Sequence, residues 1–106
     1  MTYETSHNGR PACYISVDVE TSGPNPTDYD LLSIGACLAE DPETTFYIEL
    51  QPVTGRSVPE ALAVSGLSME SLARTGTPPV EALSRFEGWL AEVVPASHQP
   101  LLVALN

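Results

Sequence analysis

Residues 12–20 (A-C-Y-I-S-V-D-V-E) alternate apolar and polar side chains. A period of two fits a β-strand, in which successive side chains point to opposite faces. Cys13, Ile15, Val17 and Val19 share one face, and Tyr14, Ser16, Asp18 and Glu20 share the other. A half-apolar strand needs partners, and the next two stretches supply them. Residues 31–39 (L-L-S-I-G-A-C-L-A) and 45–50 (T-F-Y-I-E-L) read as second and third strands. The joining segments are the turn-rich 21–30, with Gly23, Pro24 and Pro26, and a turn at 40–43 around Pro42. Connections this short make the three an antiparallel meander. Gly35, inside the second strand, predicts that another backbone or a bulky side chain packs closely there.

The pattern then turns helical. Ser57 is placed to cap a short helix over 60–64, with Pro59 in its first turn and Gly66 as its end. Ser68 starts a second helix over 69–74, ended by Gly76. Thr77-Pro78-Pro79 opens a longer one that Pro95 stops. Val80, Leu83, Phe86, Leu90 and Val94 fall near helical spacing on one face, with Trp89 beside them. Residues 101–105 (L-L-V-A-L) form a short apolar strand of the kind buried on both faces of a sheet. The fold class is therefore α/β: a mixed sheet of three antiparallel strands, a right-handed helical crossover, and a fourth strand parallel to the first. Residues 1–11 are a polar tail, and 12–106 read as the N-terminal part of one domain. One amphipathic helix covers one sheet face, and the free edge of the last strand is left without a partner. Self-association into a homo-oligomer is the corresponding expectation.

Charge narrows the function. The chain has 14 acidic side chains against 4 arginines and no lysine, a formal charge of -10. A basic patch for bare phosphate attraction is excluded. Any polyanionic ligand needs positive charge from elsewhere, and a bound divalent cation would supply it. Cys13 and Cys37 are too few for a disulfide scaffold and are expected as free thiols in a reducing compartment. The first ten residues carry no apolar signal segment, and no run approaches the roughly 18 apolar residues of a membrane span. The expectation is a soluble, cytoplasmic protein that does not partner a membrane.

Asp18 and Glu20 are the centre of the chemistry. At i and i+2 on one strand they lie on the same face, about 6.5–7 Å apart along the backbone. Paired carboxylates repel unless a cation sits between them, and Mg²⁺ and Mn²⁺ favour such hard oxygen ligands. A solvated acidic face is the structural alternative. A calcium loop is rejected, because Tyr29 stands where its bidentate Glu belongs and a strand precedes it in place of a helix.

Val17-Asp18-Val19-Glu20-Thr21-Ser22-Gly23 resembles the first motif of the DEDD (DnaQ-like) 3′–5′ exonucleases, which have a ribonuclease H-like fold. The resemblance continues in order through Leu32-Ser33-Ile34-Gly35-Ala36, Phe46-Tyr47-Ile48-Glu49-Leu50-Gln51-Pro52, Pro59-Glu60-Ala61-Leu62 and Val64-Ser65-Gly66-Leu67. It ends with Pro78-Pro79-Val80 and Leu102-Val103-Ala104-Leu105-Asn106. It implies a two-metal phosphodiester hydrolase acting on the 3′ end of single-stranded DNA or short RNA, with two divalent cations, Mg²⁺ or Mn²⁺, as cofactors. Asp18 matches the ligand that bridges both metals, and Glu20 the ligand near the terminal 3′-OH. Thr21, Ser22 and Gly23 match contacts to the terminal nucleotide, Leu67 the apolar wedge against its base, and Asn106, at the opening of the second motif, a further nucleotide-binding residue. The third acidic ligand would come after Asn106, and the third motif, with its general-base His, is absent. Leu105 and Ser65 stand where many relatives have His. The 106-residue chain alone is thus expected to be inactive. His7 and His98 read as solvated, Arg56, Arg74 and Arg85 as surface charges, and Tyr29 and Tyr47 as packing residues. The alternative reading is a non-catalytic ribonuclease H-like binding or assembly module.

Overall fold

Strands β1 (Ala12–Thr21), β2 (Leu31–Leu38) and β3 (Asp41–Glu49) form the expected antiparallel meander in the computed structural model, which describes residues 9–104. Strand β4 (Gln99–Ala104) lies parallel to β1 on its other side, giving the order β3-β2-β1-β4. Helices α1 (Pro59–Ser65), α2 (Met69–Thr75) and α3 (Pro79–Val93) fill the crossover between β3 and β4.

The register sorts the side chains by face. Val17 pairs with Ala36 and Ala36 with Phe46; Val19 pairs with Ile34 and Ile34 with Ile48. These apolar rows carry the core. Ile34, Ile48, Leu50 and Ala82 are buried together, with Val17, Leu31, Phe46 and Phe86 packed on them. Phe46, Phe86 and Trp89 form an aromatic triplet with ring centroids 5.3, 5.7 and 6.1 Å apart, in the range where such rings attract.

Four details depart from expectation. The inward stripe of α3 runs through Ala82, Phe86, Trp89 and Val93, while Val80 is 83% exposed and Leu83 50% exposed. The small Ala82 lets the helix axis approach the sheet, which turns Val80 outward. Strand β3 starts at Asp41 and takes in Pro42, so the turn shrinks to Ala39 and Glu40. An edge strand tolerates the missing proline N–H, and β3 is an edge. Helix α1 is capped by Val58 with no side-chain cap bond, and Ser57 plays no capping part. Gly66 does end it, in the left-handed conformation at φ 73, and the Ser68 hydroxyl caps α2 by accepting the Ser71 N–H. Finally, among the described residues β4 is an edge strand, with Leu102 and Val103 51% and 42% exposed in place of the expected burial on both faces. Cys13 and Cys37 are free and lie on opposite sheet faces, since Cys37 pairs with Ser16. Among the described residues no helix is long and apolar enough to cross a membrane.

Candidate active site

The second face of the sheet is polar. Asp18, Gly35 and Tyr47 form one cross-strand row, and Glu20, Ser33 and Glu49 form the next. Strand pairing therefore places Asp18 and Glu20 side by side at the C-terminal half of β1, Asp18 exposed and Glu20 half-buried. The arginines after β1 are engaged elsewhere. Arg74 and Arg85 pair with Glu70 and Glu81 one helical turn away, and Arg56 donates its Nε–H to the Asp28 carbonyl at 2.9 Å. Two carboxylates on one face, with these guanidinium groups paired to other residues, are a hard-oxygen donor set that fits Mg²⁺ or Mn²⁺. Among the described residues no group of three or more metal-ligating side chains assembles, so this pair would hold an ion only with further ligands.

The loop after β1 shapes the ground beside the pair. The ladder shifts register between Glu20 and Thr21, and the Thr21 hydroxyl donates to the Gly23 carbonyl at 3.0 Å. Ser22 is fully buried and bonded within the protein. Its hydroxyl donates to the Arg56 carbonyl at 2.7 Å and accepts the Asp30 N–H at 2.8 Å. Its own N–H donates to the Asp30 carbonyl at 2.9 Å, and its carbonyl accepts the Val58 N–H at 2.8 Å. The Ser22 side chain thus fixes the loop. Gly23 is buried beneath the ring of Tyr29, a packing residue as expected.

A cleft of about 560 Å³ opens between this loop and α1, with Glu20, Thr21 and Gly23 on one side and Val58, Ala61 and Val64 on the other. Leu67 is half-buried just past α1, its N–H donated to the Ser65 hydroxyl at 3.1 Å, and it stands outside the cleft lining. The structure brings Glu20, Thr21 and Gly23 together at the cleft, with Asp18 next to them on the strand. Asn106 and His7 lie outside the described residues. His98 is half-buried at the opposite end of the sheet, beside the pairing of Gln99 with Ala12, and its Nδ1 lies 2.8 Å from the Ser97 hydroxyl. Gly35 has only ordinary contacts: a Cβ there would lie 3.6 Å from the Asp18 carbonyl oxygen and 3.8 Å from the Tyr47 ring.

Two residues gain parts that the sequence reading did not give them. Tyr47 is exposed on the polar face and donates its O–H to Glu49 Oε2 at 2.7 Å; burial of its stem and the Glu49 carboxylate push the phenol pKa up. Asp30 is the larger omission. It is 5% exposed, and its carboxylate is met by donors on both oxygens. Oδ1 takes the N–H groups of Val53 at 3.1 Å and Thr54 at 2.8 Å; Oδ2 takes the Gly55 N–H at 3.0 Å and the Thr54 hydroxyl at 3.1 Å. Burial alone would raise its pKa, and the donors of Thr54, Val53 and Gly55 outweigh burial, holding the carboxyl below its ordinary range. The readable signal was Gly55 after Thr54, since a turn at φ 75 can aim consecutive N–H groups at one acceptor.

No protein-family model matches the sequence. A curated relative, the 3′-5′ DNA exonuclease Cap18 of Escherichia coli, is 43% identical over 93 residues, which are 88% of this chain and 50% of that protein. The chain thus spans about half the length of the curated relative it matches. The nuclease domain of 3′hExo, a DEDDh family member solved bound to rAMP, superposes with a TM-score of 0.68 at 13% identity, over 88% of this chain and 51% of that one. E. coli exonuclease I in complex with a 5cy-dA13 oligonucleotide gives a TM-score of 0.68 at 17% identity, over 90% of this chain and 21% of that one. Exonuclease I of Methylocaldum szegediense gives 0.68 at 19% identity, over 90% and 20%. The structural likenesses show the ribonuclease H-like fold. The sequence match makes the chain similar to part of a 3′–5′ DNA exonuclease, in keeping with the DEDD (DnaQ-like) resemblance.

Proposed function

We propose that the protein carrying this chain is a metal-dependent 3′–5′ exonuclease that hydrolyses phosphodiester bonds at the 3′ end of single-stranded nucleic acid. DNA is favoured over RNA, because the 43% identical relative is a DNA exonuclease. The observation that carries the reading is the placement of Asp18 and Glu20 on one strand face, with Glu20 lining the 560 Å³ cleft. Asp18 and Glu20 would hold two divalent cations, with the remaining ligands contributed from outside the described residues. When bound, the ions would lower the pKa of the attacking water and offset the charge that gathers on the scissile phosphate. The chain's own residues do the positioning. Val58, Ala61 and Val64 offer an apolar wall for a terminal base, and the Thr21–Gly23 turn closes the near side. Among the described residues no arginine lines the cleft, so a phosphate there depends on the cations for positive charge. Free Cys13 and Cys37 on opposite faces suit a reducing, cytoplasmic setting.

The test is a 5′-labelled single-stranded oligonucleotide incubated with the protein and Mg²⁺ or Mn²⁺. A ladder shortening from the 3′ end is expected, abolished by chelation and reduced more than about a hundredfold by Asp18→Asn. The 106-residue chain by itself should release nothing. Metal-independent shortening would overturn the metal-dependent mechanism, and no shortening together with no saturable Mn²⁺ binding would replace this reading with the non-catalytic module.

A further inference from the structure

We infer that Asp30 is a positioning residue for the cleft: its carboxylate anchors residues 53–55, and through Ser22 it sets where the α1 wall stands relative to Glu20. The inference rests on the exonuclease reading for its kinetic consequence and on geometry for the rest. Asp30 is buried, and its carboxylate is held by Val53, Thr54 and Gly55. The neighbouring guanidinium of Arg56 does not join them, since it turns its Nε–H to the Asp28 carbonyl. A buried anion held by neutral donors depends on all of them being aimed at it.

The clamp is continuous with the cleft wall. Immediately after Gly55, the Arg56 carbonyl accepts the Ser22 hydroxyl and the Val58 N–H reaches the Ser22 carbonyl. Ser22 in turn is bonded to both the N–H and the carbonyl of Asp30. Val58 is the N-cap of α1, and its carbonyl accepts the N–H groups of Ala61 and Leu62. The seven-residue α1 has no fully buried residue and no side-chain cap; it packs on β1 with Ala61 and Leu62 half-buried. Its N-terminus is held by the Asp30–Ser22 clamp, which therefore sets the span between its apolar wall and Glu20.

Asp30→Asn is the decisive variant. It keeps the shape and replaces one acceptor oxygen with an NH₂ group that faces N–H donors. By hydrogen exchange, the amides of Val53, Thr54 and Gly55 and of Ala61 and Leu62 should all exchange about tenfold faster, with β1–β2 amides unchanged. On the single-stranded oligonucleotide, KM should rise about tenfold with kcat within about twofold, since a displaced wall weakens ground-state and transition-state binding alike. Loss of Mn²⁺ affinity, a fall in kcat at unchanged KM, or exchange confined to 53–55 would overturn the inference. If D30N does not fold, Thr54→Ala removes the hydroxyl on Oδ2, along with that hydroxyl's bonds to the Arg56 N–H and the Asp28 carbonyl, and must show the same pattern to a smaller degree, or the inference fails. A wild-type protein without 3′ activity would sink the exonuclease reading, and the clamp would then stand or fall on the exchange data.

Discussion

The ring of Tyr29 lies directly on Gly23, so closely that a Cβ built there would overlap three ring carbons. Only glycine allows this approach, and it draws the 21–30 loop back against the end of β1. Gly23→Ala should cost about 1–3 kcal/mol, because the ring must leave its seat. Most of that cost should vanish in a Tyr29→Ala background, where the space is open. A double-mutant cycle by urea unfolding measures the coupling, and additive losses would show that the contact does not hold the loop.

The Asp30 clamp gives stability a defined pH dependence. Burial opposes its charge, and the donors of residues 53–55 more than compensate, so the folded-state pKa lies below the unfolded one. A depressed carboxyl contributes stability above its unfolded pKa, about 3.9, and loses it as pH falls through the folded value. Urea midpoints measured from pH 6 downward should therefore fall in the acid range for the wild type. In D30N the curve should be lower at pH 6 and flatter below about pH 4. Parallel curves for the two proteins would mean that Asp30 does not carry the acid sensitivity.

Gly76 marks a second close approach. A Cβ there would lie 2.6 Å from the Leu50 carbonyl carbon and the Gln51 nitrogen, and 2.7 Å from the Leu72 carbonyl oxygen. The next residue, Thr77, donates its N–H to the Glu49 carbonyl at 2.8 Å and accepts the Gln51 N–H at 2.9 Å. These neighbours are all backbone, so none can swing aside. Gly76→Ala should cost at least about 2 kcal/mol and detach α2 from the end of β3, read as a lower urea midpoint with faster Gln51 and Thr77 amide exchange.

The sheet was legible because period-two alternation and short turns leave few ways to pair three strands, and β1, β2 and their order emerge as the pattern dictates. The helical stripe was harder. Val80 and Leu83 are larger and more apolar than Ala82, so hydrophobicity points to them, yet Ala82 is the residue at 0% exposure. Close helix–sheet packing selects small size, which a periodicity argument reads as weakness. A different limit hid Asp30: three of its four donors are backbone N–H groups more than twenty residues away, and only Gly55 after Thr54 hints at them in the sequence. Asp18 and Glu20 were legible for the opposite reason, since their relationship is local to one strand. Val80→Asp should therefore change stability by no more than about 0.5 kcal/mol, whereas Ala82→Leu should cost about 1–3 kcal/mol by overpacking against Ile34, Ile48 and Leu50. Equal costs would return Val80 to the core.

Removing one carboxylate from the β1 pair separates its electrostatic role from the ligand role proposed for it. Without metal, two like charges sharing a strand face repel, and Asp18 is exposed, so Asp18→Asn or Glu20→Gln should leave the melting temperature unchanged or slightly higher. With Mn²⁺ the sign reverses. An ion bound only by the folded state stabilises it by RT ln(1 + [L]/Kd), about 2.7 kcal/mol at a hundredfold excess over Kd. The protein carrying this chain should therefore gain melting temperature with Mn²⁺, and either substitution should remove most of the gain. The comparison is best run at fixed ionic strength, so that general screening of the -10 charge does not imitate binding. A Mn²⁺-dependent rise that survives both substitutions would place the ion elsewhere and leave Asp18 and Glu20 as a solvated acidic face.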